Sequence, residues 1–379
     1  MEQRIFAQAI VTPHGLLGGE VVIRAGVILA VDARKEPSPQ ALDWSADWLI
    51  PGLVDIHTDN LEKHYQPRPG ALWDAYGAAL AHDGQCASAG ITTVLDSLSL
   101  HGRKDGLDRR ASLGPMIRGI DAAQSDGALR AEHLLHLRCE VTNPELLRLL
   151  EPHVDNPRLR LLSVMDHTPG QRQTTDVSNL EARMVAAGHS EEEIGEMLSR
   201  RHAGRDPTVA QANRRSVVAF SREYGVPLCA HDDATIEQVE EARDDGCVIA
   251  EFPVTLAAAQ AARKHGMGVC MGGPNFVRGS SHSGNLSARE CAEHDVLDIL
   301  ASDYVPLSML RSAFMLIDDF GWPAHKALAT VTAGPARWLG LDDRGEIAPG
   351  QRADLVRVSR RTAGWPVPSE VWRQGRRVA

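Results

Sequence analysis

Residues 49–57, LIPGLVDIH, run on into TDN at 58–60, so an almost unbroken apolar stretch closes on an imidazole, a hydroxyl, a carboxylate and an amide. A strand buried on both faces reads this way, and polar residues at its C-terminal end mark the functional rim of a parallel α/β fold. Seven further runs share the texture: ITTVLDS (91–97), LLHLRCE (134–140), LRLLSVMDH (159–167), VPLCAH (226–231), CVIAEFPV (247–254), MGVCMGG (267–273) and LDILASD (297–303). Eight such strands alternating with helix-period segments predict a (β/α)8 TIM barrel over residues 49–344. A doubly wound sheet is the alternative, but no Gly-x-Gly-x-x-Gly follows the first strand.

The ends of the chain differ from the middle. Residues 5–33 are β-branched-rich runs broken by Gly and Pro, and GEIAPGQRADLVRV (345–358) and VWRQGRRVA (371–379) repeat the pattern. These segments predict a small composite β-sandwich domain from residues 1–48 and 345–379. A helical insertion is predicted at about 168–224. Ser190 with Glu193 forms a capping box, Asp206 with Pro207 opens a second helix, and Gly225 ends it. The insertion begins HTPGQRQ directly at a strand end, which places it over the barrel mouth as a candidate lid.

Composition narrows the function. The 379 residues carry 40 Lys+Arg against 50 Asp+Glu, a net charge of −10, which argues against nucleic acid as the main partner. A hydrophobic content of 43% with 24% charged residues excludes a disordered chain. No run approaches the roughly 18 apolar residues of a membrane span. The start, MEQRIFAQAI, lacks the features of a secretory signal. Six scattered cysteines without a Cys-x-x-Cys pair read as buried thiols, so a cytoplasmic protein is expected.

The strand ends repeat one set of residue types: His57 and Asp59, Glu140, Asp166 and His167, His231 with Asp232 and Asp233, and Asp303. Imidazoles and carboxylates on one rim are what Zn²⁺ or a similar divalent ion binds. His57 and Asp59 stand two apart, so an extended chain turns both to one side. His133 and His136 are assigned to packing. A second constellation is the Gly-rich stretch HGMGVCMGGPNFVRGSSHSGN (265–285), where Asn275, Arg278, Ser281, His282 and Asn285 accompany glycines that let backbone N–H groups approach a phosphate. A third is Lys63, His64 and Arg68, with Arg172 of the insertion, which supply local positive charge for an anionic substrate. Solvated surface basicity is the alternative for these cations.

LIPGLVDIHTDN with EKHYQPRPG, GITTVLDS, LHLRCE, MDHTPGQRQ, HDDAT, VIAEFPVT, HGMGVCMGGPN, VRGSSHSGN and SDY together resemble the α-D-ribose 1-methylphosphonate 5-triphosphate diphosphatase family of the carbon–phosphorus lyase pathway, within the amidohydrolase superfamily. The resemblance spans nearly the whole chain; HTDN with PRPG, and RGSSHSGN, carry the branch, whereas PGLVDIH and DRGEIAPGQRADLV carry only the superfamily. It implies a barrel with a β-domain built from both ends, and one or two divalent ions (Zn, Mn or Fe) held by His57, Asp59, Glu140, His167, His231 and Asp303. His-x-Asp stands where most of the superfamily has His-x-His, and Glu140 where it has a bridging lysine. So carboxylate-rich a site favours Mn²⁺ or Fe²⁺ over Zn²⁺. The two later histidines fall one strand earlier than the superfamily order, either because a barrel strand is hidden or because this branch is shifted.

The resemblance further implies hydrolysis of a small polyphosphorylated sugar phosphonate to its 5-phosphate and pyrophosphate. Asp303 is then the general base. Lys63, Arg68, Arg172, Asn275, Arg278, Ser281, His282 and Asn285 are the substrate contacts. A homo-oligomer, a dimer first, is expected. The rival activities are hydrolysis of a cyclic amide such as a hydantoin or dihydropyrimidine, and a non-catalytic barrel serving in an assembly.

Overall fold

A computed structural model describes residues 2–104, 106–172, 177–186, 188–203, 206–281, 284–360 and 364–379. The chain starts with β1 (Glu2–Thr12), β2 (Gly15–Arg24), β3 (Val27–Ala33), β4 (Leu42–Asp43) and β5 (Trp48–Pro51). The barrel strands are β6 (Leu53–Thr58) and β7 (Ile91–Ser99), then, after a hairpin of β8 (Arg103–Lys104) and β9 (Leu107–Asp108), β10 (Glu132–Glu140), β11 (Leu159–Met165), β12 (Leu228–His231), β13 (Ile249–Glu251), β14 (Gly268–Gly272) and β15 (Ile299–Ala301). The C-terminal strands are β16 (Leu355–Arg360), β17 (Pro366–Arg373) and β18 (Arg376–Arg377).

The eight barrel strands form one sheet in the order β15-β14-β13-β12-β11-β10-β7-β6. Its β6/β7, β10/β11, β11/β12, β12/β13 and β13/β14 pairs are parallel. A parallel bridge between Thr58 and Asp303 joins the ends of the two outer strands. This is the expected (β/α)8 barrel, and every expected strand is present. The buried carboxylate of Asp55 sets the register at the closure, accepting the N–H of Ser302 at 3.0 Å and that of His57 at 3.2 Å.

The apolar run 49–57 is a single strand in the sequence reading and two strands in the structure. Trp48–Pro51 pairs with β1 and β16 in the other sheet, while Leu53–Thr58 enters the barrel. The break falls at Gly52, whose N–H reaches Asp354 O at 2.8 Å. A Cβ there would overlap the Thr92 side chain. Apolar residues on both sides conceal this break, because each half is buried in its own sheet. Gly52→Ala should therefore lower the unfolding midpoint in urea, by roughly 1–3 kcal/mol for an overpacked contact; an unchanged midpoint would show that Thr92 yields freely.

The two chain ends do join. Their strands form one mixed sheet in the order β18-β17-β16-β5-β1-β2-β3, with β4 on β1. Strands from both ends of that order share one core of Ile5, Ile10, Val21, Ile23, Ile28, Trp44, Leu49, Ile347, Leu355 and Trp372. A twisted sheet this wide folds over its own apolar face. The expected β-sandwich is thus a single curled sheet, and its N-terminal part runs to Pro51 instead of residue 48.

By compactness the chain divides into Met1–Asp96 with Pro115–Leu134 and Asp298–Ala379, and Ser97–Gly114 with Leu135–Leu297. The first unit holds the curled sheet, β6 and β15. The second holds β10 to β14, apart from the first residues of β10, and the segment 168–224, which carries helices Val177–Ala186, Glu191–Ala203 and Pro207–Tyr224. The capping box forms as expected: Glu193 N–H reaches Ser190 Oγ at 3.2 Å and Ser190 N–H reaches the Glu193 carboxylate at 2.8 Å. Asp206 caps the third helix through Thr208 N–H, and Gly225 ends it at φ 63°. Among the described residues no helix is long and apolar enough to cross a membrane.

Candidate metal centre

In the first unit, β6 delivers His57 and its continuation delivers Asp59, while the residue after β15's loop turn is Asp303. The strand stops at Thr58, and Asp59 already lies in the turn that opens the helix Asn60–Tyr65. His57 Nε2 nevertheless comes to 3.6 Å from Asp59 Oδ1. One ligand atom from each of His57, Asp59 and Asp303 fits within 4.8 Å of the others. The backbone forces this meeting: Asp303 N–H donates to His57 O and Asp59 N–H to Asp303 O, both at 2.9 Å. Asp303 sits at φ 52°, a left-handed conformation that costs a non-glycine residue energy and is held by those two bonds.

In the second unit, His167 follows β11 and His231 closes β12. Their rings lie 5.5 Å apart, edge to face. Asp232 Oδ2 is 3.2 Å from His231 Nε2 and 3.7 Å from His167 Nε2, and it is buried without a hydrogen-bond donor. A buried carboxylate oxygen facing imidazole nitrogens fits a divalent cation. Behind the histidines stand two more carboxylates. Glu140 Oε2 is 2.7 Å from His167 Nδ1, and Glu251 Oε2 is 2.6 Å from His231 Nδ1. Burial alone would raise the Glu140 carboxyl, but the His167 bond and charge, the charge of His101 and the Thr142 hydroxyl bring it down to about 2. Asp232 stood in the rim set read from the sequence but outside the six ligands the resemblance implies, and Glu251 was missed. The signal for Glu251 was a single charge inside the apolar run CVIAEFPV.

All eight barrel strands are accounted for, so no hidden strand displaces the histidines: His167 follows the fourth barrel strand and His231 ends the fifth. The packing assigned to His133 and His136 agrees with their burial, and hydrogen bonds add to it. His136 takes Ser97 Oγ and Ser163 Oγ, each at 3.1 Å, while His133 joins Asp96 at 2.8 Å.

The anion contacts expected from the sequence differ in exposure and in partners. Lys63 is exposed, with Nζ 3.1 Å from Asn60 Oδ1 and 5.4 Å from the Tyr304 ring centre. Arg68 and Arg278 are exposed. Ser281 and Asn285 are half-buried in the loop after the helix Gly273–Arg278, while His282 lies outside the described residues. Two of the expected contacts are committed elsewhere. Arg172 is buried and ion-paired with Asp233, with Glu241 at 3.5 Å. Burial holds the Asp233 carboxyl up at about 6 in spite of the Arg172 charge. Asn275 spends its amide on the backbone, donating to Leu286 O at 3.1 Å and accepting Ala288 N–H at 3.0 Å. Local charge is readable from sequence, but a partner 61 residues away is not.

Comparison with known proteins adds the lineage. The model of the amidohydrolase family matches residues 194–379. The chain is 42% identical over 371 residues to the alpha-D-ribose 1-methylphosphonate 5-triphosphate diphosphatase of Escherichia coli (strain K12), covering 97% of this chain and 98% of that protein. An allantoinase of Arabidopsis thaliana is 30% identical over 98 residues, 24% of this chain and 18% of that protein. Among solved structures, the N-acetyl-D-glucosamine-6-phosphate deacetylase of Mycobacterium smegmatis superposes with a TM-score of 0.66 over 100% of both chains at 18% identity. The dihydropyrimidinase of Brevibacillus agri NCHU1002 gives a TM-score of 0.58 over 100% of this chain and 95% of that one at 13% identity, which speaks for the fold alone. On the strength of the full-length relative, this chain belongs to the amidohydrolase superfamily and, within it, to the family of the alpha-D-ribose 1-methylphosphonate 5-triphosphate diphosphatases.

Proposed function

We propose that this protein hydrolyses α-D-ribose 1-methylphosphonate 5-triphosphate to the 5-phosphate and pyrophosphate, as a metal-dependent step of phosphonate breakdown in the cytoplasm. The observation that carries the proposal is the pair of imidazole–carboxylate groups at the strand ends, His57/Asp59/Asp303 and His167/His231/Asp232, in a chain related over its full length to that diphosphatase. His57, Asp59 and Asp303 are the residues to hold one ion, and His167 and His231, with Glu140 against the His167 ring, those to hold a second. The oxygen-rich donor set favours Mn²⁺ or Fe²⁺, with Zn²⁺ next. A bound divalent ion supplies Lewis acidity, making water nucleophilic near neutral pH and offsetting phosphoryl charge.

The Asp303 carboxylate accepts the proton of the attacking water. A new oxygen bond forms to the α-phosphorus as the bond to the leaving oxygen breaks, and pyrophosphate departs with that electron pair. Lys63, Arg68, Arg278, Ser281, His282 and Asn285 contact the triphosphate, on the strength of the Gly/Ser/Arg loop and the cations after β6. Arg172 and Asn275 serve differently: Arg172 anchors the root of the insertion on Asp233, and Asn275 shapes the loop through its backbone bonds. The active species is proposed to be a homodimer.

The test is pyrophosphate release after reconstitution with Mn²⁺, Fe²⁺ or Zn²⁺, with ATP and dihydroorotate as controls and metal content recorded. Pyrophosphate from the ribose phosphonate well above that from ATP is expected. A metal-loaded protein that releases none, and instead opens cyclic amides, would overturn the proposal.

A further inference from the structure

His231 is fixed from three sides. Glu251 is its register partner on β13, and the carboxylate lies 2.6 Å from Nδ1. Phe252, held at φ 55°, meets the ring edge to face at 5.4 Å. On the far side, a guanidinium nitrogen of Arg138 lies 3.4 Å from Nε2. A guanidinium only donates and an ionised carboxylate only accepts. The proton of His231 therefore sits on Nδ1, directed to Glu251, and Nε2 carries a lone pair. Asp232 Oδ2, 3.2 Å from that lone pair, is buried with no donor of its own. The Arg138 guanidinium offsets part of the repulsion between these two acceptors through a long 3.4 Å contact to Nε2, and a divalent cation against both would offset the rest. Asp232 is held there by its backbone: its N–H donates to Glu251 O at 2.8 Å, and its φ of 61° turns the residue out of the strand. His167 Nε2 lies 3.7 Å from the same carboxylate oxygen.

We infer that Asp232 is a metal ligand, that it shares one divalent cation with the Nε2 atoms of His231 and His167, and that Glu251 is the positioning residue that fixes the tautomer and angle of His231. The inference rests on the metal-dependent reading above and adds one ligand and one supporting carboxylate to it. Carboxylates behind ligating histidines raise their basicity, and their loss typically weakens binding ten- to a hundredfold.

The test measures metal binding apart from turnover. Apoprotein of the wild type and of Asp232→Asn, Glu251→Gln, Glu251→Ala and the surface control Asp244→Asn is titrated with Mn²⁺ and Zn²⁺ against a chelator. Visible spectra are recorded for the Co²⁺ forms, and melting temperatures for the apoproteins. Asp232→Asn should lose one ion per chain or weaken it at least tenfold. Glu251→Ala should weaken it by up to a hundredfold, and Glu251→Gln, which keeps an acceptor for Nδ1–H, by less. The control should bind as wild type. A merely structural role for Glu251 would lower the apoprotein melting temperature and leave the metal Kd and the Co²⁺ spectrum unchanged, and that result overturns the inference. If Asp232→Asn does not fold, Asp232→Glu is titrated in its place, and wild-type affinity with an unchanged Co²⁺ spectrum counts against ligation. Pyrophosphate release by the wild type is scored separately, so a failed ligand assignment is distinguishable from a failed activity assignment.

Discussion

Replacing Asp303 by Asn is expected to cut kcat by a hundred- to ten-thousandfold, roughly 3–5 kcal/mol of transition-state stabilisation for a lost general base. The geometry makes this substitution unusually clean. Asp303 lies between two backbone bonds, to His57 O and from Asp59 N, and neither involves its side chain. Asn has the same shape, so His57 and Asp59 stay where they are. Asn also tolerates the left-handed φ of 52° at least as well as Asp. As apoprotein the variant should therefore melt at or slightly above the wild-type apoprotein, while the metal-loaded form loses turnover. That combination separates a chemical role from a structural one, because a residue kept for stability would show the reverse. Steady-state kinetics of the metal-loaded form and thermal melting of the apoprotein decide it. An unchanged kcat would remove Asp303 from the reaction.

Much of the fold was legible because burial on both faces leaves a parallel strand nothing to alternate. All eight barrel strands stood out, most of them as continuous apolar runs, and the helix ends Ser190, Asp206 and Gly225 were visible because capping is local chemistry. The break at Gly52 was not visible, since it separates two apolar strands and its cause, the Thr92 side chain, lies 40 positions away in sequence. The same limit governs the site. His57, His167, His231 with Asp232, and Asp303 could be named because strand ends are predictable, and the structure places them at those ends. The left-handed turn of Asp232, φ 61°, was not visible, because the strand's alternation does not show it. The contact of Glu251 with His231 and the pairing of Arg172 with Asp233 were not legible, because those partners meet only in the folded chain.

The polar residues away from the rim teach the same lesson and carry the largest expected effect on stability. His82 of the helix Ala75–Ser88, Asp96 of β7 and His133 of β10 are buried in one cluster. Asp96 lies 2.9 Å from His82 Nε2 and 2.8 Å from His133 Nδ1, and His133 Nε2 is 3.5 Å from Asp83. Asp83 also accepts the N–H groups of Arg130 and Ala131 at 2.8 Å and pairs with the half-exposed Arg130 guanidinium. The Cys86 thiol and the His64 ring complete the surroundings. Burial would push His133 down, yet the charge of Asp96 and the bond to Asp83 hold it at about 9. Burial would push Asp96 up, but His133 and His82 pull it well below the carboxylate range. An imidazolium between two carboxylates thus locks a helix to the barrel sheet.

Asp96→Asn leaves that buried cation half-compensated and should destabilise the protein by about 3–5 kcal/mol. The pH dependence follows from the signs. A raised imidazolium contributes fully below its unfolded pKa of about 6.5 and loses the contribution as pH rises through 9. A depressed carboxyl contributes above its unfolded value of about 4 and loses the contribution as pH falls. The network is therefore strongest between about pH 4 and 6.5. Urea midpoints of the wild type should fall between pH 6.5 and 9.5, and Asp96→Asn should start lower and fall less, because only Asp83 still holds the His133 proton. Equal midpoints, or parallel pH slopes, would mean that the cluster is neutral and packs like any other part of the core.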